Sequence, residues 1–195
     1  MTPLGERFEE AVIWATRLHR EQERKGAGVP YVSHLLSVCA LVLEDGGDED
    51  QAIAALLHDA VEDQGGLPTL EEIRRRFGPR VAMIVEGCTD AVSVPKPPWR
   101  ARKERYLEHL ASAPPEVLRV STADKLHNAR SILADYRLVG EDLWSRFTAG
   151  PDQILWYYRS LLAAFQQRGN SLLVQELARV VWQLGMMIEA RPAVR

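Results

Sequence analysis

The chain of 195 residues has only two cysteines, Cys39 and Cys88, each inside an apolar stretch. That excludes a disulfide framework and a thiolate zinc site, and both read as small buried hydrophobes in a reducing compartment. There is no Gly-rich phosphate loop and no Ser-His-Asp pattern, so neither a P-loop nor a triad mechanism has support. No apolar run reaches the length of a membrane span. The first residues, MTPLGERFEE, bring acid early and no apolar signal-peptide core. A net charge of −3 gives no global attraction to nucleic acid or to an anionic membrane. The expectation is a cytoplasmic protein with no nucleic-acid and no membrane partner, in which any attraction for an anion comes from a local cluster.

What is present is helical periodicity. A composition of 46% hydrophobic residues suits one compact domain over residues 1–195. Phe8, Val12, Ala15 and Leu18 share the face of a first helix that should end near Gly26. Ser33 is the expected N-cap of the next, and Asp48 or Asp50 opens a third, through Asp63 and closed by Gly65-Gly66. Thr69-Leu70-Glu71-Glu72 reads as a capping box, with Gly78 just past its helix. A loop with Pro95, Pro97 and Pro98 spans Val92 to Trp99. Further helices are expected at about Pro79–Asp90, Arg100–Ala111, Pro115–Val139, Pro151–Gln167 and Asn170–Ala190. The fold class is all-α, a single compact domain of about eight helices. The last helix, with Val180, Val181, Leu184 and Ile188, offers a face either for the core or for a homo-oligomer.

Four positions carry the chemistry: His34 in PYVSH, His58-Asp59 in ALLHDAVED, and Asp124 in STADKLHNAR. Two imidazoles and two carboxylates suit a divalent metal of intermediate hardness. His58-Asp59 follows the apolar run Ala52 to Leu57, which should be buried, and a buried charged pair needs a partner. Glu62 and Asp63 lie one turn beyond His58 and Asp59, placed to orient water or move protons. The bland alternatives are a solvated acidic helix end, a structural His34 and an exposed Asp124. The order and flanking sequence of the four positions favour the metal site.

Those flanks carry a resemblance. Ala15-x-x-x-His19-x-x-Gln22-x-Arg24-Lys25, Pro30-Tyr31-x-x-His34, Ala54-Ala55-Leu56-Leu57-His58-Asp59-x-Val61-Glu62-Asp63, Phe77-Gly78, Thr89-Asp90 and Ala123-Asp124-Lys125-Leu126-x-Asn128 occur in fixed order. Together they resemble the HD-domain superfamily and, within it, the hydrolase domains of RelA/SpoT homologues and their small stand-alone relatives. The resemblance implies an all-helical HD fold and one Mn²⁺ held by His34, His58, Asp59 and Asp124. It implies an acidic pair, Glu62 and Asp63, that activates water, and nucleotide contacts from Arg24, Lys25 and Asn128. The implied reaction releases pyrophosphate from the 3′-diphosphate of guanosine tetraphosphate or pentaphosphate, a small-molecule substrate.

Two readings compete with this one. The first is an HD phosphohydrolase of another substrate, such as a nucleoside monophosphate or the 2′-phosphate of NADPH. The second is a metal- and nucleotide-binding module without turnover. The basic run Lys96, Arg100, Arg102, Lys103 and Arg105 reads equally as a lip for diphosphate groups or as a solvated helix face. His19, His109 and His127 read as packing or ordinary helix residues, and Trp156, Tyr157 and Tyr158 as core aromatics.

Overall fold

The computed structural model describes residues 3–26, 28–90 and 97–191. Among these, the helices are α1 (Glu6–Leu18), α2 (Val32–Glu44), α3 (Glu49–Leu57), α4 (Ala60–Asp63), α5 (Leu67–Phe77), α6 (Pro79–Cys88), α7 (Trp99–Leu110), α8 (Pro115–Val139), α9 (Pro151–Arg168) and α10 (Leu172–Glu189). A 3₁₀ segment, Gly140–Arg146, follows α8. No strand forms among the described residues, only an isolated antiparallel bridge between Glu23 and Pro30. The all-α class stands. No helix among them is long and apolar enough to cross a membrane.

The axis of the fold is α3. An Asp48–Gln51 capping box starts it: the Gln51 amide donates to Asp48 Oδ1 at 3.0 Å, and the Asp48 amide to Gln51 Oε1 at 3.1 Å. Every residue from Gln51 to Leu57 is buried, the mark of a helix enclosed on all sides. It packs against α1, α2, α6 and α8. The 25-residue α8 is the second long contact surface, lying against α2, α6 and α10.

Several expected boundaries move. The first helix stops at Leu18 rather than near Gly26, because the buried His19 caps it and the chain turns into a loop. That loop is closed by Arg24 N to Val29 O and Tyr31 N to Gln22 O, each 2.8 Å. Gly26, at φ +67°, makes the turn under the Arg146 side chain, where a Cβ would sit 2.7 Å from Cδ. Tyr31, not Ser33, precedes α2, without a side-chain cap. The Thr69 hydroxyl does not cap α5: it lies inside the first turn and donates to the Gln64 carbonyl at 2.9 Å. The helix expected through Asp63 breaks at His58-Asp59. Most of the proline loop, with Pro95 and Lys96, falls outside the described residues. On α10, Val180, Val181, Leu184 and Ile188 are buried while Trp182 and Met186 remain exposed.

Candidate active site

The break between α3 and α4 shapes the site. His58 is the last residue in α3 geometry, and Asp59, at φ −96° and ψ −5°, starts α4. The kink lets two neighbouring side chains turn to one point. His34, from the first turn of α2, and Asp124, from the middle of α8, meet them there. His58 Nε2 lies 3.0 Å from Asp59 Oδ2 and 3.6 Å from Asp124 Oδ1. His34 Nε2 lies 3.4 and 3.3 Å from the same two oxygens. The ligand atoms of His34, His58 and Asp59 all fall within 4.8 Å of one another, a spacing that can hold a metal ion. Both imidazole Nε2 atoms are buried without a hydrogen-bond partner, a costly state unless something else satisfies them.

The surroundings fix which nitrogen faces inward. His58 Nδ1–H donates to the Ala55 carbonyl at 2.8 Å, which leaves Nε2 as the nitrogen that faces the other three side chains. His34 Nδ1 lies 2.8 Å from His127 Nδ1. Burial, then the charges of His34 and Arg24, push His127 down to about 4, so the neutral His127 ring can accept from His34 Nδ1–H, which turns His34 Nε2 inward. Burial would lower the pKa of His58, but Asp59 and Asp124 hold it well above the usual value. Burial likewise opposes ionisation of the two acids. The His58 charge and the close approach of both imidazoles nevertheless hold Asp59 well below the carboxylate range, and Lys125 with the same imidazoles does so for Asp124. A divalent cation answers the same two carboxylates while using neutral rings, so this donor set fits one.

His127 is the residue that sequence reasoning passed over. Its position three residues after Asp124 on α8 was the available signal, since that spacing shares a helix face. His127→Phe removes the acceptor for His34. The expected result is about tenfold weaker divalent-metal binding with an unchanged far-ultraviolet spectrum, read by competition with a chromogenic chelator.

Carboxylate positioning extends outward. The Tyr31 hydroxyl donates to Asp59 Oδ2 at 2.6 Å, and Asn128 Nδ2 to Asp124 Oδ1 at 2.5 Å. Arg24 Nη2 donates to Asn128 Oδ1 at 2.8 Å, and its guanidinium lies 5.8 Å from the Tyr31 ring centroid. Asp63 Oδ2 accepts from Gln22 Nε2 at 2.8 Å. The Gln22 amide is oriented in turn, because Oε1 receives Gln64 Nε2 at 2.6 Å and sits 2.7 Å from His19 Nδ1. His19 therefore stacks on Tyr31, at 5.3 Å between centroids, while tying down the residue that holds Asp63.

Two cavities open on this centre. One, of about 460 Å³, includes Arg24, Lys25, Asp63, Asn128, Phe147 and Tyr158 in its lining. The other, of about 410 Å³, includes Arg102, Lys103 and Lys125. Both reach Lys25, Asp59 and Glu62. The basic run therefore splits. Arg102 and Lys103 turn inward, while Arg100 pairs with Glu104 at 2.7 Å and covers Trp156. Tyr157 is a core residue, whereas Tyr158, also buried, edges the larger cavity. His109 is an exposed-side helix residue, its Nε2 3.2 Å from the Gly87 carbonyl.

The sequence profile of the HD domain family matches residues 11–154. The chain belongs to the HD domain family. Among HD proteins it is similar to the guanosine-3′,5′-bis(diphosphate) 3′-pyrophosphohydrolase MESH1 of Xenopus tropicalis, 40% identical over 126 residues, or 63% of this chain and 68% of that one. The Aquifex aeolicus guanosine-3′,5′-bis(diphosphate) 3′-pyrophosphohydrolase is 38% identical over 128 residues. The match takes in 66% of this HD chain but spans only 18% of the Aquifex protein. The solved structure of a metazoan ortholog of SpoT, which hydrolyses ppGpp, is similar with a TM-score of 0.77 and 27% identity, over 95% of this chain and 99% of that one.

Proposed function

We propose that this HD domain hydrolyses the 3′-diphosphate of guanosine tetraphosphate or pentaphosphate, giving pyrophosphate and GDP or GTP. The observation that carries the reading is the convergence of His34, His58, Asp59 and Asp124 on one buried point that opens beside Glu62 and Asp63. The activity of the relatives named above supplies the substrate. His34, His58, Asp59 and Asp124 would hold the metal, and mixed imidazole–carboxylate donors with the family resemblance favour Mn²⁺. When bound, such an ion acts as a Lewis acid and brings the pKa of nearby water toward neutrality.

The chain's own groups do the rest. Glu62, on the wall common to both cavities, takes the proton of the attacking water, and Asp63, fixed by Gln22, orients it. The water oxygen bonds to the phosphorus on ribose O3′. The P–O3′ bond breaks, and the proton is passed on to O3′. Arg24 presents a planar guanidinium to the nucleotide, suited to stacking or to a two-pronged phosphate contact. Lys25 adds a point charge, and Asn128 aligns Arg24 with Asp124. A guanine nucleotide substrate and two free cysteines fit a cytoplasmic protein.

Arg24→Ala is expected to raise KM about tenfold, about 1.4 kcal/mol of binding, with kcat changed less than about threefold. Steady-state kinetics on guanosine tetraphosphate measure this split. The substrate assignment is tested by kcat/KM for guanosine tetraphosphate, a nucleoside monophosphate and NADPH on one metal-loaded preparation. A preference of about 100-fold or more for guanosine tetraphosphate is expected; parity with either competitor overturns the assignment.

A further inference from the structure

The larger cavity, with Phe147, Tyr158 and Arg24 on its walls, accounts for a nucleoside. It leaves the second cavity unused. The two volumes share Lys25, Asp59, Glu62 and Phe147 as lining and so adjoin beside the candidate metal-ligand cluster; in the reaction proposed above, the bond that breaks would fall at this junction. The lining of the second cavity is basic. Arg102 and Lys103 both reach Asp90 Oδ2, the latter at 2.7 Å, and Lys125 Nζ lies 2.5 Å from Asp124 Oδ2. Their side chains are between 14% and 17% exposed, so all three charges are held largely out of water.

A structural cross-link would need less. Asp90 at the end of α6 could be tied to α7 by one cation, yet it receives two. Arg102 and Lys103 share the single carboxylate Asp90, and Asp124, the partner of Lys125, is also turned toward the imidazoles; the other acids of the lining, Asp59 and Glu62, lie on the wall common to both cavities. Two largely dry cations on one carboxylate leave charge that an anion entering the cavity would complete. The ammoniums are also held in place. Lys103 Nζ lies 5.1 Å from the Tyr157 ring centroid, and Lys125 Nζ lies 5.1 Å from that of Tyr106. Burial lowers the pKa of Lys103, and Lys125 beside it adds to this; an incoming anion would reverse that trend.

We propose that this second cavity receives the diphosphate group that is cut from the nucleotide, with Arg102, Lys103 and Lys125 as its binding residues; the inference rests on the hydrolase reading above. A diphosphate offers several anionic oxygens across its length, which matches a guanidinium and two separate ammoniums better than a single phosphate does. Lys25, on the rim common to both cavities, lies where the group passes from one to the other.

The test is calorimetric titration of inorganic pyrophosphate and, separately, GDP into wild-type and Lys103→Met protein at constant free Mn²⁺. Pyrophosphate is expected to bind the wild type and to weaken about tenfold or more in the variant, while GDP stays within about twofold. Arg102→Gln is measured in parallel, so that a misfolded Lys103→Met protein does not decide the matter. The proposal is overturned if wild type does not bind pyrophosphate, if neither variant weakens it, or if GDP weakens equally. The last result would assign the cavity to the 5′ arm of the nucleotide. Turnover of guanosine tetraphosphate by the same wild-type preparation separates failure of the hydrolase reading from failure of this one.

Discussion

His58→Ala is expected to reduce kcat/KM by about 10⁴-fold, about 5.5 kcal/mol of transition-state stabilisation, and to weaken divalent-metal affinity at least about 100-fold. Three features make His58 the most sensitive position. It is 2% exposed. Its tautomer is set by the Ala55 carbonyl. Its Nε2 lies near a carboxylate oxygen of both Asp59 and Asp124. Removing the ring leaves those carboxylates facing each other with one imidazole fewer to offset their repulsion. It also leaves a void at the end of α3, so stability must be followed alongside activity. His58→Gln keeps most of the volume and removes the ligand nitrogen. If both variants stay folded, lose metal by elemental analysis and lose turnover, the ligand role holds. If either retains wild-type metal content, His58 is not a ligand.

The second large effect separates chemistry from binding. Glu62→Gln with Asp63→Asn is expected to lower kcat about 10³-fold while metal affinity stays within about threefold. Neither residue belongs to the buried His-His-Asp group. Asp63 is held by Gln22, and its amide counterpart can still meet that glutamine if its own amide turns. The fold therefore loses little while the proposed proton acceptor disappears. Retained metal with lost turnover is the signature of an enzyme. Retained turnover would mean that the acid pair does not handle the proton. A protein that binds metal and nucleotide but turns nothing over, wild type included, is the binding module considered from the sequence.

Legibility in the sequence follows the range of each interaction. The core of α3 could be read because an all-apolar run next to a capping pair is a local signal. The span of α8 could be read because Pro115 and Gly140 mark its ends. The four candidate ligand positions were legible as residue types in order, and the structure brings them to one point. What was hidden is mostly non-local. Gln22 reaches Asp63 across 41 positions, and no periodicity announces that contact. The early end of α1 depends on His19 being buried against Tyr31, a tertiary fact. Arg102 and Lys103 separate from Arg100 only because Asp90 waits on one side of α7. The role of His127 against His34 was hidden for a different reason: its spacing was visible, but a histidine on a helix face is more often structural than ligand-orienting.

The most direct test of the central claim is product identification after incubating the Mn²⁺-loaded protein with guanosine tetraphosphate in ¹⁸O-water. The account predicts GDP and pyrophosphate in equal amounts, with the heavy oxygen in pyrophosphate, because water attacks the phosphorus attached to O3′. Release of orthophosphate, or label appearing in GDP, would contradict it.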